Sequence, residues 1–479
     1  MGESVAAFEA RLVEALAAME LARDAASFTA AERELVRLAQ GLASSMTQRV
    51  LQEVSDNETR KREAFERARE SAGAKGIELR VERKRRTEVR TLGGQVVDVM
   101  TPYATARPRG DGARAARGAQ GTGVYPVLDQ LGIIGRSTPA LRLLVAQAVC
   151  EANSVSAARE LLAAGGVEID HKAALRLTYL VSDDALRARA KALKATAVGN
   201  DAGEFVGRRV VVTVDGGRVC IRHRVAGRPR KGGRKHFKTE WREPKLITLY
   251  VLNDEGKRDR TINPVIDGTM GDADAVFELV RYHLLRMGAH RAAHVVLAGD
   301  GAKWIWARAD SLREALGLSS TQLTEVVDYF HVVERLSELA KGKRRWSDEQ
   351  RTAWVEERKA ELMDDQVEAV EAAVRLLFKR GTDALATELA YWDRNRERLR
   401  YATFRQAKLA IGSGAVESSV RRVVNLRLKG ASIVWTEEHG EGVLHLRAHA
   451  TSGRWRDIEA AVFAESGWKP TARRLPKAA

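Results

Sequence analysis

Three acidic residues stand where chemistry could be done. Asp215 closes the apolar, β-branched run VVVTVD and is followed by two glycines; Asp300 closes a second such run, VVLAGD, again before a glycine. A carboxylate at the exposed end of a strand, with glycine clearing space beside it, lies where α/β sheets place ligands. Glu417 follows the Gly-Ser-Gly break in IGSGAVES, near the start of an expected helix that could swing it over the two strand ends. Three convergent carboxylates form an all-oxygen site, which suits Mg²⁺ or Mn²⁺ rather than zinc. Taken one at a time, each has a plainer reading: the aspartates as turn caps, and the glutamate as a helix N-terminal charge.

Other residues could serve such a site. Asp328 and His331 are three apart and would share a helix face, either beside the carboxylates or joined in a local Asp–His hydrogen bond. Trp304 and Trp306 follow Asp300 closely, and could stack on an unpaired base or fill the gap between a helix and the sheet. Residues 221 to 242 carry nine lysines or arginines against one acid. Arg228, Arg230, Lys231, Arg234 and Lys235 lie at the centre of this expected hairpin excursion. Lys343 and Arg344 form a second basic cluster, and Arg421, Arg422, Arg427 and Lys429 a third. Each is a candidate DNA contact or a solvated charge run. His290 with His294, and His445 with His449, have zinc-like spacing, but no third ligand is evident and a structural role is expected. GxxxxGK[ST], GxSxG and HExxH are absent, which argues against a P-loop ATPase, a serine hydrolase and a zincin.

The elements that must position these residues follow from pattern. In 479 residues, the 80 lysines and arginines exceed the 64 aspartates and glutamates, for a net charge of +16 that points to a polyanion as partner. A hydrophobic content of 44% is enough for real cores. Cys150 and Cys220 form no CxxC pair, so neither a disulfide framework nor a cysteine zinc finger is expected. With no uncharged apolar run of 18 residues and no signal-peptide pattern, the expectation is a cytoplasmic protein without a membrane partner. Residues 1–72 read as helical, with Thr29-Ala-Ala-Glu32 as a capping box opening a second helix. Residues 73–125 read as a hairpin around Gly93-Gly94 followed by a mobile basic loop at 101–123. Within 126–200, a helix over Ser156–Ala164, a Gly165-Gly166 turn and a helix from His171 to Leu180 suggest a helix-turn-helix. Residues 201–310 read as three antiparallel strands, a helix and a further strand, hence an α/β layer. An amphipathic helical block is expected over 311–400, and a return to the α/β domain with a C-terminal helix over 401–479.

Asp215 in VTVDGG, Asp300 in GDGAKWIW, Asp328 to His331 in VVDYFHVVERL, and IGSGAVES with RLKG after it resemble DDE transposases, most closely the ISKra-type insertion-sequence transposases related to the Mutator group. The resemblance spans about residues 120 to 465. It implies a ribonuclease-H-like catalytic domain interrupted by an all-helical insertion between the second aspartate and the glutamate, with Asp215, Asp300 and Glu417 as catalytic metal ligands. It also places Asp328 and His331 near the active site as accessory residues, to which the position of Trp304 just after Asp300 adds a further accessory candidate. Two metal ions about 3.5–4 Å apart would flank the scissile phosphate. The implied reaction is hydrolysis at the ends of the element, then attack of the freed 3′-hydroxyl on target DNA. The implied partners are double-stranded DNA (element ends and target) and further copies of the chain, as a homodimer or higher homo-oligomer at a prokaryotic nucleoid. Relatives commonly carry a cysteine-rich, zinc-ribbon-like element upstream of the helix-turn-helix. Here that stretch has no cysteine, and no zinc is expected. A transposase-derived regulator that binds without cutting, and a metal-dependent nuclease without strand transfer, are the alternatives.

Overall fold

Strand and helix periods alternate along the chain, and the computed structural model resolves them into an α/β protein. It describes residues 5–74, 76–81, 83–108, 123–195, 199–225, 236–379, 381–430 and 433–465. The chain divides into two compact units, one up to Ala188 joined by the residues from Glu459, the other from Arg189 to Ile458. Among the described residues no helix is long and apolar enough to cross a membrane.

The first unit opens with helices α1 (Val5–Glu20), α2 (Ala25–Asp56) and α3 (Glu58–Gly73). The capping box that opens α2 is built by Asp24 and Ser27, not by Thr29 and Glu32. The Asp24 carboxylate accepts from Ser27 N at 2.7 Å, so the helix is already running when the chain reaches Thr29. Strands β1 (Ile77–Val81), β2 (Arg85–Arg90), β3 (Val96–Thr101), β4 (Ala104–Pro108) and β5 (Gly123–Val124) follow. β2 and β3 form the expected hairpin, with Gly94 at φ +80° in its turn. Part of the stretch expected as a loop is β4, paired antiparallel with β1. The remainder of that loop, 109–122, lies outside the described residues.

Helices α4 (Pro126–Gln130), α5 (Pro139–Glu151), α6 (Val155–Ala164) and α7 (His171–Lys194) complete this unit, α7 running on into the second. Ser154 caps α6, Gly166 turns the chain at φ +87°, and α7 is about four turns longer than its expected end at Leu180. Leu141, Val145, Ala158, Leu162 and Leu177 form the shared core of α5, α6 and α7. Arg142 of α5 is fully buried there, donating to Gly132 O at 2.9 Å and paired with Asp184 of α7 at 3.3 Å.

In the second unit the sheet is made by β6 (Arg209–Gly216), β9 (Lys245–Leu252), β10 (Val265–Thr269), β11 (His294–Gly299) and β12 (Leu323–Val327), in the order β10-β9-β6-β11-β12. Neighbours β6, β9 and β10 are antiparallel, whereas β11 and β12 run parallel to β6. A separate hairpin, β7 (Val219–Arg224) with β8 (Phe237–Arg242), interrupts the chain between β6 and β9. Helix α8 (Ala273–Arg286) joins β10 to β11 in sequence, and α9 (Lys303–Trp306) and α10 (Ala309–Ala315) lie between β11 and β12.

The strand β12 corrects the expectation of an unbroken helical block over 311–400. Thr324, Val326 and Val327 are β-branched and extend the sheet in parallel register with β11, leaving the helical segment to begin at α11 (Tyr329–Lys341). It continues through α12 (Asp348–Met363), α13 (Val367–Arg375), α14 (Asp383–Asn395) and α15 (Tyr401–Gln406). The chain then returns through α16 (Gly414–Val420), α17 (Glu437–Thr451) and α18 (Trp455–Ala464). One continuous apolar core, from Val210 and Val296 in the sheet to Trp392 and Tyr401 in the helical segment, joins the sheet to that segment.

Because Arg142 is buried with Asp184 as its charge partner, Asp184→Ala is expected to destabilise the chain by about 3–5 kcal/mol, while Arg142→Met combined with Asp184→Leu recovers most of that loss. Denaturant unfolding of the three chains measures it, and an Asp184→Ala loss below about 1 kcal/mol would refute the dependence.

Candidate metal centre at the strand ends

The register of the parallel strands sets three aspartates in a row. Thr213 of β6 lies beside Ala298 of β11, and Gly299 of β11 beside Val327 of β12. Carried on in step, Asp215 falls beside Asp300 and Asp300 beside Asp328, on strands about 4.8 Å apart. The three are then put to different uses.

Asp328 is fully buried and engaged on every side. Its N–H donates to Gly299 O at 2.7 Å, holding β12 against the end of β11. Its Oδ1 caps α11, accepting from Phe330 N at 2.6 Å and His331 N at 3.3 Å. Its Oδ2 accepts from both the backbone N–H and the hydroxyl of Ser413. Asp328 is therefore a positioning residue, and of the two readings of the Asp328–His331 pair, a local hydrogen bond does form, through the His331 backbone N–H rather than its ring. Ser413, one residue before α16, is the contact that the sequence left unassigned.

Glu417 gets its direction from this anchor. Val416, Ser419 and Val420 bury one side of α16, and Ser419 is tied to Thr248 of β9 by a 3.0 Å hydroxyl–hydroxyl bond. Glu417 occupies the opposite, exposed side of the helix. Its Oε1 lies 3.9 Å from His331 Nε2, and ligand atoms of Asp328, His331 and Glu417 fall within 4.8 Å of one another.

Asp215 and Asp300 each use one oxygen on the backbone. Asp215 Oδ1 accepts from Gly216 N at 2.6 Å and Asp300 Oδ1 from Ala302 N at 2.9 Å; among the described residues their second oxygens have no hydrogen bond. Burial pushes the Asp215 carboxyl above its ordinary value, and the charge of Asp300 adds to this. The Gly216 N–H, His331 and Lys245 act the other way. Lys245 was not visible as a site residue in sequence, yet it pairs with Gly216 in the antiparallel register. Its ammonium also lies 5.3 Å over the Trp304 ring.

Trp304 packs edge-on against Phe277 of α8, ring centroids 6.2 Å apart, and Trp306 is buried in the same core. Both fill the space between helix and sheet. Of the basic candidates, Arg344, Arg421 and Lys429 are exposed and Lys343 is half-buried. Arg422 donates to the backbone oxygens of Ser418 and Thr451. Arg427 departs from expectation. It is 4% exposed and stacks over Trp435 at 5.3 Å, which leaves it no surface for a phosphate. Arg228, Arg230, Lys231, Arg234 and Lys235 lie outside the described residues.

The histidine pairs part company. His290 meets Asp201 at 2.9 Å and His294 meets Thr324 at 2.9 Å. His445 and His449 do have a third ligating group nearby, Asp267 of β10, which is 178 positions from His445. Its Oδ1 accepts from Gly268 N (2.8 Å), His445 Nδ1 (2.8 Å) and Arg189 (3.2 Å), and its Oδ2 from His283 Nε2 (3.0 Å), so its lone pairs are engaged by the protein itself. Burial holds all three histidines below their ordinary value, His445 at about 3. Burial alone would raise the Asp267 carboxyl, but His445, Arg189 and His283 outweigh it and hold it well below the usual range.

No family model, curated protein or solved structure matches the chain.

Two outcomes follow from these networks. Asp328→Asn places an amide NH₂ where an acceptor is needed, and is expected to cost about 2–4 kcal/mol, against about 1 for Ser413→Ala. Equal small losses in thermal unfolding would refute the anchoring role. The buried histidines are neutral when folded, whereas in the unfolded chain they bind protons from about pH 6.5 downward. Stability is therefore expected to be full above pH 6.5 and to fall toward pH 3. His445→Asn, which keeps the donor to Asp267 but does not titrate, should flatten the slope of Tm against pH in that window. An unchanged slope would refute it.

Proposed function

We propose that the chain is a metal-dependent DNA transposase of the DDE type, cutting the ends of its own element and joining them to target DNA. The observation that carries this reading is the pair Asp215 and Asp300, at the ends of adjacent parallel strands, each with one oxygen that has no hydrogen bond among the described residues; Glu417 lies beside His331 and Asp328, with which its ligand atoms group within 4.8 Å. The strand order, with three antiparallel strands followed by two parallel ones, agrees with a ribonuclease-H-like domain. The helices between β12 and α16 agree with an insertion between the second aspartate and the glutamate. The α6–turn–α7 segment supports a helix-turn-helix grip on double-stranded DNA.

The donor set fits Mg²⁺, with Mn²⁺ as substitute: it is all oxygen, and two neighbouring carboxylates raise a negative potential that a divalent cation offsets. Asp215, Asp300 and Glu417 would hold it. Bound there, it supplies charge stabilisation at the phosphate and activation of the attacking oxygen. The chain's own part is placement. Asp328 and Ser413 fix the start of α16, and Ser419 fixes its roll on the sheet. His331 stands 3.9 Å from Glu417, where it steadies that carboxylate. Synapsis of two element ends calls for a homodimer or larger homo-oligomer, working in the cytoplasm at the nucleoid of a prokaryote.

The test is a labelled duplex spanning one end of the DNA that flanks the gene, incubated with Mg²⁺ or Mn²⁺. The expected result is metal-dependent cleavage leaving a 3′-hydroxyl, reduced about a hundredfold or more in Glu417→Gln, together with a joined product when target DNA is present. Cleavage without joining would reduce the reading to a nuclease, and tight binding with no cleavage to a regulator.

A further inference from the structure

The β7–β8 hairpin begins four residues after Asp215, at Val219, and the chain returns to the sheet at Lys245. Its register pairs Cys220 with Trp241, Arg222 with Thr239 and Arg224 with Phe237. Side chains alternate along a strand, so these six share one face, while Val219 and Ile221 bury the other against the body of the unit. On the shared face Phe237 is 51% exposed and Trp241 52%. Arg218 adds a third guanidinium, 5.8 Å from the centre of the Trp241 ring. Glu240, the one carboxylate in the two strands, lies on the opposite face beside His223 at 3.2 Å.

Two half-exposed rings on a face with arginines and no acid select their ligand. Phe237 and Trp241 are four residues apart, about 13 Å along the strand, so they form two separate platforms and do not cover each other. The positive charge of Arg218, Arg222 and Arg224 favours a polyanion. Paired bases hide their faces in the stack, whereas unpaired bases offer a π-face to an aromatic ring whatever their identity. Only Gly217 and Arg218 separate β7 from the end of β6, so the root of the hairpin follows Asp215 directly along the chain.

We propose that this face of the hairpin is a binding platform for the unpaired bases of a DNA strand, holding opened DNA beside the strand-end carboxylates. The proposal deepens the transposase reading and rests on it for the choice of DNA.

The experiment compares binding of the full chain, in chelator, to two end-labelled probes of one sequence: a paired duplex and the same duplex with a central unpaired bubble. The wild type is expected to prefer the bubble. Phe237→Ala and Trp241→Ala should each weaken bubble binding about tenfold, with less than threefold change on the paired duplex. Trp241→Phe should keep most of the preference. Arg222→Ala with Arg224→Ala should weaken both probes alike and lower the salt dependence of each. Matching Tm values guard against misfolding, and since both rings stand half in water little change is expected. Equal losses on the two probes after ring removal, no loss on either, or no wild-type preference for the bubble would each overturn the proposal. If the preference depends on the rings while metal-dependent cleavage fails, the transposase reading falls and the platform stands. If the wild type binds neither probe, both fall.

Discussion

The arrangement of the site depends on one buried carboxylate. The buried Asp328 carboxylate is surrounded by donors: two N–H groups of α11 on one oxygen, and the N–H and hydroxyl of Ser413 on the other. A buried charge without such partners would cost several kcal/mol, so the donors and the carboxylate hold one another in place. Through its own N–H the same residue is tied to Gly299, one position before Asp300. One residue thus joins the end of β11 through its backbone, and the start of the helical segment and the loop that leads to Glu417 through its side chain. The helical segment lies between Asp328 and Ser413 in sequence, yet its two ends are closed against each other at this point.

The contrast with Asp215 and Asp300 supports the proposed site at the strand ends. Asp267 and Asp328 are carboxylates whose lone pairs the protein consumes, and both are buried in finished networks. Asp215 and Asp300 occupy equivalent strand-end positions, keep an oxygen free and repel each other, and burial makes the charge on Asp215 costly. A chain selected for stability alone has no reason to keep such a pair. An open donor set with like charges side by side is what a divalent cation completes.

The hairpin carries the same logic outward. Val219 and Ile221 fix its root in the core, which frees the alternate positions to face water. Those positions hold aromatic rings and arginines, two half-exposed rings among guanidinium groups, which is the face the proposed platform uses.

The sequence by itself determined the local elements and the chemistry of the candidates. β-branched runs ending in Asp-Gly marked β6 and β11, the glycine pair at 93–94 marked a hairpin, and Gly165-Gly166 marked the turn between α6 and α7, because these signals act within a few residues. What depended on distant contacts was hidden. β12 lay in an amphipathic stretch and became a strand only because β11 offered it a parallel edge. Asp267 met His445 across 178 positions, and Arg427 was drawn inward onto Trp435 although its neighbours Arg421 and Lys429 stayed outside. The split between Asp328, closed by Ser413, and Asp300, left open, was decided by tertiary structure alone. Both residues end strands, and what separates them is which partner the fold brings to the free oxygen.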